Sequence, residues 1–334
     1  MWIVKGVRLC CFGLVILFAG LFSSCGWAQA AGQSDAASQN AAGQNAAAQF
    51  VGRWDLTLKD AGQEYPSWIE IGQKDGKLTA LFTGRWGNAR ELPKINVDGA
   101  RLTFVSPKEE EGSKADLVFE GQLKGESLSG TVNGPDGSEW SWVGVKAPAL
   151  DKKAESVHWG KPVELFNGKD LSGWHQSKAG PPDWTVKDGI LVSPGNGPEL
   201  INDKKFKDFK LHVEFNCGKD ANAGVYLRGR YEVQIETESQ GEGPSHHTGG
   251  VYGFLAPTPE QPRSPDTWQT FDITLVGRNV TVVQNGKTVI DHQEIPGITG
   301  GALDSHEGEA GPIYLQGSEK GHVLFRKITV TPGR

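Results

Sequence analysis

Phe209-Lys210-Leu211-His212-Val213-Glu214-Phe215 alternates apolar and polar side chains without a break. Neighbouring side chains on an extended strand point to opposite faces, so Phe209, Leu211, Val213 and Phe215 share one face and Lys210, His212 and Glu214 the other. Such a strand lays one face on a core and exposes the other. The same period returns at Val280-Thr281-Val282 and continues beyond Asn285-Gly286, a dipeptide that accepts the positive φ of a hairpin turn.

Working outward, the chain from Val163 onward reads as short strands. They are Trp184 to Val186, Gly189 to Val192, Phe209 to Asn216, Ala223 to Arg228, Tyr231 to Thr237, Gly250 to Phe254, Gln269 to Val276, Asn279 to Gln284, Lys287 to Asp291, Gly311 to Gln316 and His322 to Thr331. No convincing amphipathic helix interrupts them, which implies two curved sheets face to face, the outer face of one being concave. Upstream, Trp54 to Leu58, Trp68 to Ile71, Lys77 to Phe82, Arg101 to Val105, Ala115 to Leu123, Ser127 to Val132 and Trp140 to Val145 alternate with glycine turns. That spacing suggests a small antiparallel β-barrel, a shape that removes exposed strand edges. Gly52-Arg53-Trp54 recurs as Gly84-Arg85-Trp86 and suggests equivalent corners.

The 334 residues favour two domains. The expected division is a signal peptide (1–30), a low-complexity tether (31–49), the barrel (50–147), a polar linker (148–161) and the sandwich (162–334). Lys5 and Arg8, the apolar run from Leu9 to Phe22 and Ala28-Gln29-Ala30 read as an export signal, placing the protein in the periplasm, at the envelope or outside the cell. The flanks are those of a cleaved signal and not of a membrane span. Lipidation at Cys25 is the alternative to cleavage after Ala30. Cys10, Cys11 and Cys25 all lie in this segment, which leaves Cys217, read as a packed core residue, in the mature chain. A net charge of -6 argues against nucleic acid as a partner, since phosphate backbones need clustered Lys and Arg.

Leu165-Phe166-Asn167-Gly168-Lys169-Asp170-Leu171-Ser172-Gly173-Trp174 resembles the opening of the bacterial 3-keto-disaccharide hydrolase domain family. Further matches follow in order: Trp184 to Gly189, Ala223 to Arg228, Tyr231 to Ile235, Gly250 to Gly253, Trp268 to Ile273, Gln284 to Gly286, Gly311 to Gln316 and Phe325 to Ile328. The resemblance implies a concanavalin-A-like jelly-roll sandwich whose concave sheet binds carbohydrate. It also implies cleavage of glycosides whose C3 hydroxyl has first been oxidised by a separate oxidoreductase. A C3 ketone acidifies the C2 hydrogen, so a base can remove it, the C1 substituent can leave by elimination, and water can add back. The second reading is a lectin-like binding module without turnover.

Strand geometry supplies the candidates. Glu232, Gln234 and Glu236 share one face of their strand, at a spacing of about 7 Å that suits neighbouring sugar rings, although a polar row is also what a solvated face looks like. Glu232 or a histidine of His246-His247 is the expected base, with Arg228 and Gln234 orienting the substrate. Tyr231, Glu236, Tyr252, Trp268, Gln316 and His322 are the further expected sugar contacts. His322 is considered because Gly317-Ser318 replaces an Asp-His pair of the family. No cofactor is expected, because adjacent loop histidines lack the spacing at which one element presents two metal ligands; a divalent metal held by a histidine with Glu236 is the alternative.

Overall fold

The computed structural model describes residues 46–334 except 61, 86, 109–111, 179–182, 194, 196, 238–242 and 319. The expected export signal, the three leader cysteines, most of the tether and Trp86 lie outside the described residues. Among the described residues no helix is long and apolar enough to cross a membrane.

Nine strands form the first sheet: β1 (Gly52–Lys59), β2 (Glu64–Lys74), β3 (Lys77–Thr83), β4 (Arg90–Glu91), β5 (Lys94–Asp98), β6 (Arg101–Ser106), β7 (Leu117–Lys124), β8 (Ser127–Asn133) and β9 (Glu139–Lys146). Their order is β4-β3-β2-β1-β9-β8-β7-β6-β5, every pairing antiparallel. The sheet curls round its own aromatic core, in which Phe104 and Phe119 stack at 4.4 Å beside Phe82 and Trp142. Gly121 sits on this inner face because a Cβ there would fall 2.4 Å from the Trp142 ring.

The second half contains β10 (Val163–Glu164), β11 (Trp174–Gln176), β12 (Thr185–Lys187), β13 (Ile190–Ser193), β14 (Leu200–Phe206), β15 (Phe209–Cys217), β16 (Asn222–Leu227) and β17 (Tyr231–Glu236). It continues with β18 (Gln269–Val276), β19 (Asn279–Gln284), β20 (Lys287–Glu294), β21 (Gly311–Leu315) and β22 (Val323–Pro332). An eight-stranded sheet, ordered β12-β13-β22-β15-β18-β19-β20 with β10 on β22, faces a five-stranded sheet, β11-β14-β21-β16-β17. Phe209, Leu211, Val213 and Phe215 fill the space between them, as their alternation demands. Cys217 is buried in this core, and burial pushes its thiol up to about 11. Gly250 to Phe254, expected as a strand, is instead a tight turn with isolated bridges at Val251.

Gly43–Arg334 is one compact unit. Trp68 of β2 is fully buried in the sandwich core, edge-on to Phe254 at 5.5 Å, and Gly297 is there because a Cβ would meet the Trp68 indole at 2.3 Å. The connection between the halves is fastened too, with the Leu150 carbonyl accepting from Arg278 N and Lys152 paired with Asp208 at 2.8 Å. Beside Trp68, Asp55 of β1 meets Glu307 of the sandwich, and both are buried. Burial, then the Glu307 charge and hydrogen bond, push the Asp55 carboxyl up to about 9. Burial also opposes ionisation of Glu307, but its Arg278 partner, 2.7 Å away, outweighs this and holds Glu307 below the usual range.

Trp68→Ala is expected to destabilise the whole unit by about 3–5 kcal/mol, read from denaturant unfolding. Unfolded Asp55 loses its proton near pH 3.8 and folded Asp55 near 9. Between those values the folded state binds more protons, so this contribution to stability is full below the lower one and is lost as pH rises to the upper. Melting curves of Asp55→Asn should therefore decline less on the alkaline side than those of the wild type; parallel curves would show that Asp55 does not hold the proton.

Candidate active site

Strand β17 is buried along its whole length. Tyr231, Val233 and Ile235 enter the core, and Glu232, Gln234 and Glu236 take the opposite face. On neighbouring β16 the residues opposite them are Tyr226, Gly224 and Asn222. The free edge of β17 is covered by the following loop: Gly249 N donates to Gln234 O, Gln234 N to Gly250 O and Tyr252 N to Glu232 O. The histidine loop thus protects a sheet edge whose backbone would otherwise be unpaired.

Above this face lies a cavity of about 150 Å³ lined by Asn222, Tyr226, Glu232, Gln234, Tyr252, Gly300, Gly301 and Gln316, with Gly87 of the barrel closing one side. Glu232 lies across Gly224, where a Cβ would fall 2.1 Å from Oε1, so only glycine leaves room for the carboxylate. The Tyr226 hydroxyl is 2.8 Å from Glu232 Oε2 and 2.8 Å from the Gly300 carbonyl. One phenolic proton thus faces two acceptors and is shared between them. Burial, then the Glu232 charge, hold Tyr226 well above the ordinary phenol range, and burial does the same for Tyr314, stacked on it at 4.2 Å. Both therefore remain protonated donors. Oriented to satisfy its neighbours, the Gln234 amide donates to Glu232 Oε1 and to Ala223 O, each at 3.2 Å. Gln316 Oε1 is buried and has no hydrogen-bond partner among the described residues.

Four of the expected residues, Glu232, Gln234, Tyr252 and Gln316, thus meet at one cavity. The others stand elsewhere. Glu236 shares the face but is not in the lining, and its backbone N–H is bound by Thr248. His246 is buried 4.5 Å from the Tyr252 ring, and His247 faces Glu260 at 3.0 Å. Arg228 does not reach the polar face: it sits in a left-handed turn with Gly229 (φ 55 and 70), and its side chain donates to Tyr231 Oη and Gly277 O inside the protein. Tyr231 points the same way and bonds Glu307 at 2.7 Å, as its odd position on β17 requires. Trp268 lies against Arg326 at the eight-stranded sheet, and half-exposed His322 faces Asp266. Neither lines the cavity. The departure at Gly317 has a steric cause, since a Cβ there would fall 2.2 Å from the Gly197 carbonyl. Asn222, Tyr226 and the Gly300-Gly301 backbone were missed, although Asn222, Gly224 and Tyr226 follow the same two-residue period. Among the described residues, no three His, Cys, Asp or Glu side chains are grouped to hold a metal.

Residues 161–331, half of the chain, match the 3-keto-alpha-glucoside-1,2-lyase-like domain family. The chain belongs to this family. A 3-keto-disaccharide hydrolase of Bacteroides thetaiotaomicron is 29% identical over 93 residues, a match covering 25% of this chain and 32% of the relative. The chain thus spans about a third of that relative's length. A crystal structure of a candidate glycosyl hydrolase from Parabacteroides distasonis ATCC 8503 is 27% identical with a TM-score of 0.45, covering 55% of this chain and 94% of its own. A second from the same organism is 24% identical with a TM-score of 0.41, covering 51% and 98%. The family matches the sandwich and stops short of the barrel, whose Gly87 nevertheless lines the cavity.

Gly224→Ala is expected to leave the sandwich folded and to push the Glu232 carboxylate off Tyr226. A crystal structure of the variant with Glu232 unmoved would contradict the packing described here.

Proposed function

We propose that the protein cleaves glycosides carrying a ketone at C3, with Glu232 as the base that removes the C2 proton. The observation that carries this reading is a single buried carboxylate in a cavity the size of a sugar ring: among the described lining residues Glu232 alone is acidic. Ordinary glycosidases need a second carboxyl across the scissile bond, and elimination does not.

In this reading the C2–H bond breaks, its proton goes to Glu232, and its electron pair forms an enolate with the C3 carbonyl. The enolate reforms the ketone as a C1–C2 double bond forms and the C1–oxygen bond breaks. Tyr226, in contact with Glu232, gives its proton to the departing oxygen and recovers one from Glu232. Water then adds its hydroxyl to C1 and a proton to C2, which completes a net hydrolysis. The amides of Asn222 and Gln316 flank the ring and orient its oxygens.

The C3 ketone must come from an alcohol-oxidising enzyme acting beforehand. The leader-like first thirty residues extend the proposal to export, with the periplasm or cell envelope as the place of action.

Wild type should turn over 3-keto-glucosides and leave their unoxidised parents intact, and product formed in D2O should carry deuterium at C2. Glu232→Gln should lower kcat by about 10²- to 10⁴-fold with unchanged melting temperature. Binding of the keto-sugar without turnover would replace the enzyme by a lectin, and preference for the parent sugar would replace elimination by conventional glycosidase chemistry. For export, the purified mature protein should begin at Ala31, or carry lipid on Cys25; retention of Met1 would refute both.

A further inference from the structure

The cavity is not built by the sandwich alone. Gly87, in the connection between β3 and β4 of the barrel, forms part of its wall. This connection is fastened to the sandwich on both sides of Gly87. Arg85 O accepts from Gly301 N at 3.1 Å, and Gly301 is itself a lining residue. Asn88 lies so close to Gly253 that a Cβ there would fall 2.7 Å from the Asn88 Cβ. The Arg85 guanidinium is in turn held 3.7 Å over the Tyr65 ring of the barrel. With this wall in place the cavity holds about 150 Å³, well below the roughly 300–1,000 Å³ of sites that take larger ligands. Gly87 has φ +82, a conformation that an L side chain rarely adopts, and a Cβ there would stand in open space.

We infer that Gly87, held by Arg85 and Asn88 against the sandwich, is a specificity element that closes the cleft to a single ring, so that the enzyme accepts a terminal oxidised sugar and excludes one inside a chain. The inference rests on the proposed carbohydrate function of this cavity. Without Gly87 the cavity would lose its wall on the barrel side. The barrel is therefore a part of the substrate site.

The test compares two trisaccharides, one oxidised at the terminal ring and one at the central ring, by turnover and by calorimetric binding. Wild type should use and bind the terminal form alone. Replacing residues 85–89 by Gly-Ser should admit the central form and shift the ratio of the two by at least about tenfold, at a melting temperature that confirms folding. An unchanged ratio in the folded shortened variant, or equal use of both trisaccharides by wild type, overturns the inference. If no protein turns over either sugar the catalytic proposal fails, and the calorimetric ratio still decides whether the barrel sets the size of the site.

Discussion

A strand with no free side governs this molecule. β17 gives its odd residues to the core, its even residues to the cavity, and its edge to the loop that follows. Each use depends on the strict two-residue alternation of side chains, so a slip of one position would exchange Val233 for Glu232 and put a carboxylate in the core. Pairing with β16 fixes the register, and Gly224 on that strand provides the space in which the Glu232 carboxylate lies. The chemistry of the cavity is thus set by backbone geometry before any ligand arrives. Tyr226 and Gln234 then hold the carboxylate from two directions, which fixes its position at the cost of its freedom to rotate.

That alternation is also why so much could be read from the sequence. Phe209 to Phe215 fixed the all-β class, and the same period placed Glu232 and Gln234 together. It fails where the chain turns. Arg228 is three residues from Tyr231, but a left-handed turn does not conserve the sense of a strand, and the guanidinium ends inside the protein. β14 was hidden because Asn202-Asp203-Lys204-Lys205 reads as a polar loop, and its pairing with β21 shifts register within that run. Gly250 to Phe254 looked like a strand, but its glycines permit close approach: a Cβ on Gly250 would meet Ser245 O at 2.7 Å. Contacts between distant parts, such as Gly87 with the cavity, leave no local periodicity to read.

The boundary between the halves is buried and bonded by charged groups. A carboxylic acid that keeps its proton, Asp55, is placed beside a carboxylate, Glu307, that an arginine holds ionised. A buried pair of like groups is tolerated when one proton is shared between them and the remaining charge is matched. Arg278 supplies that match, and Tyr231 adds a hydrogen bond to Glu307 from β17 itself. The residue behind Glu232 on the same strand is therefore bonded into the barrel contact, so the core side of β17 and the meeting of the two halves are one hydrogen-bonded system.

Trp68 carries a consequence for how the chain comes into being. Its indole belongs to the barrel by sequence but is covered by Phe254 and Gly297, which are synthesised 186 and 229 residues later. Domains of a nascent chain generally fold from the N-terminus as they emerge from the ribosome. The barrel therefore emerges with a large apolar ring uncovered and must wait for the end of translation to hide it. Until the sandwich is made, a half that cannot finish folding by itself stays open to whatever binds apolar surface.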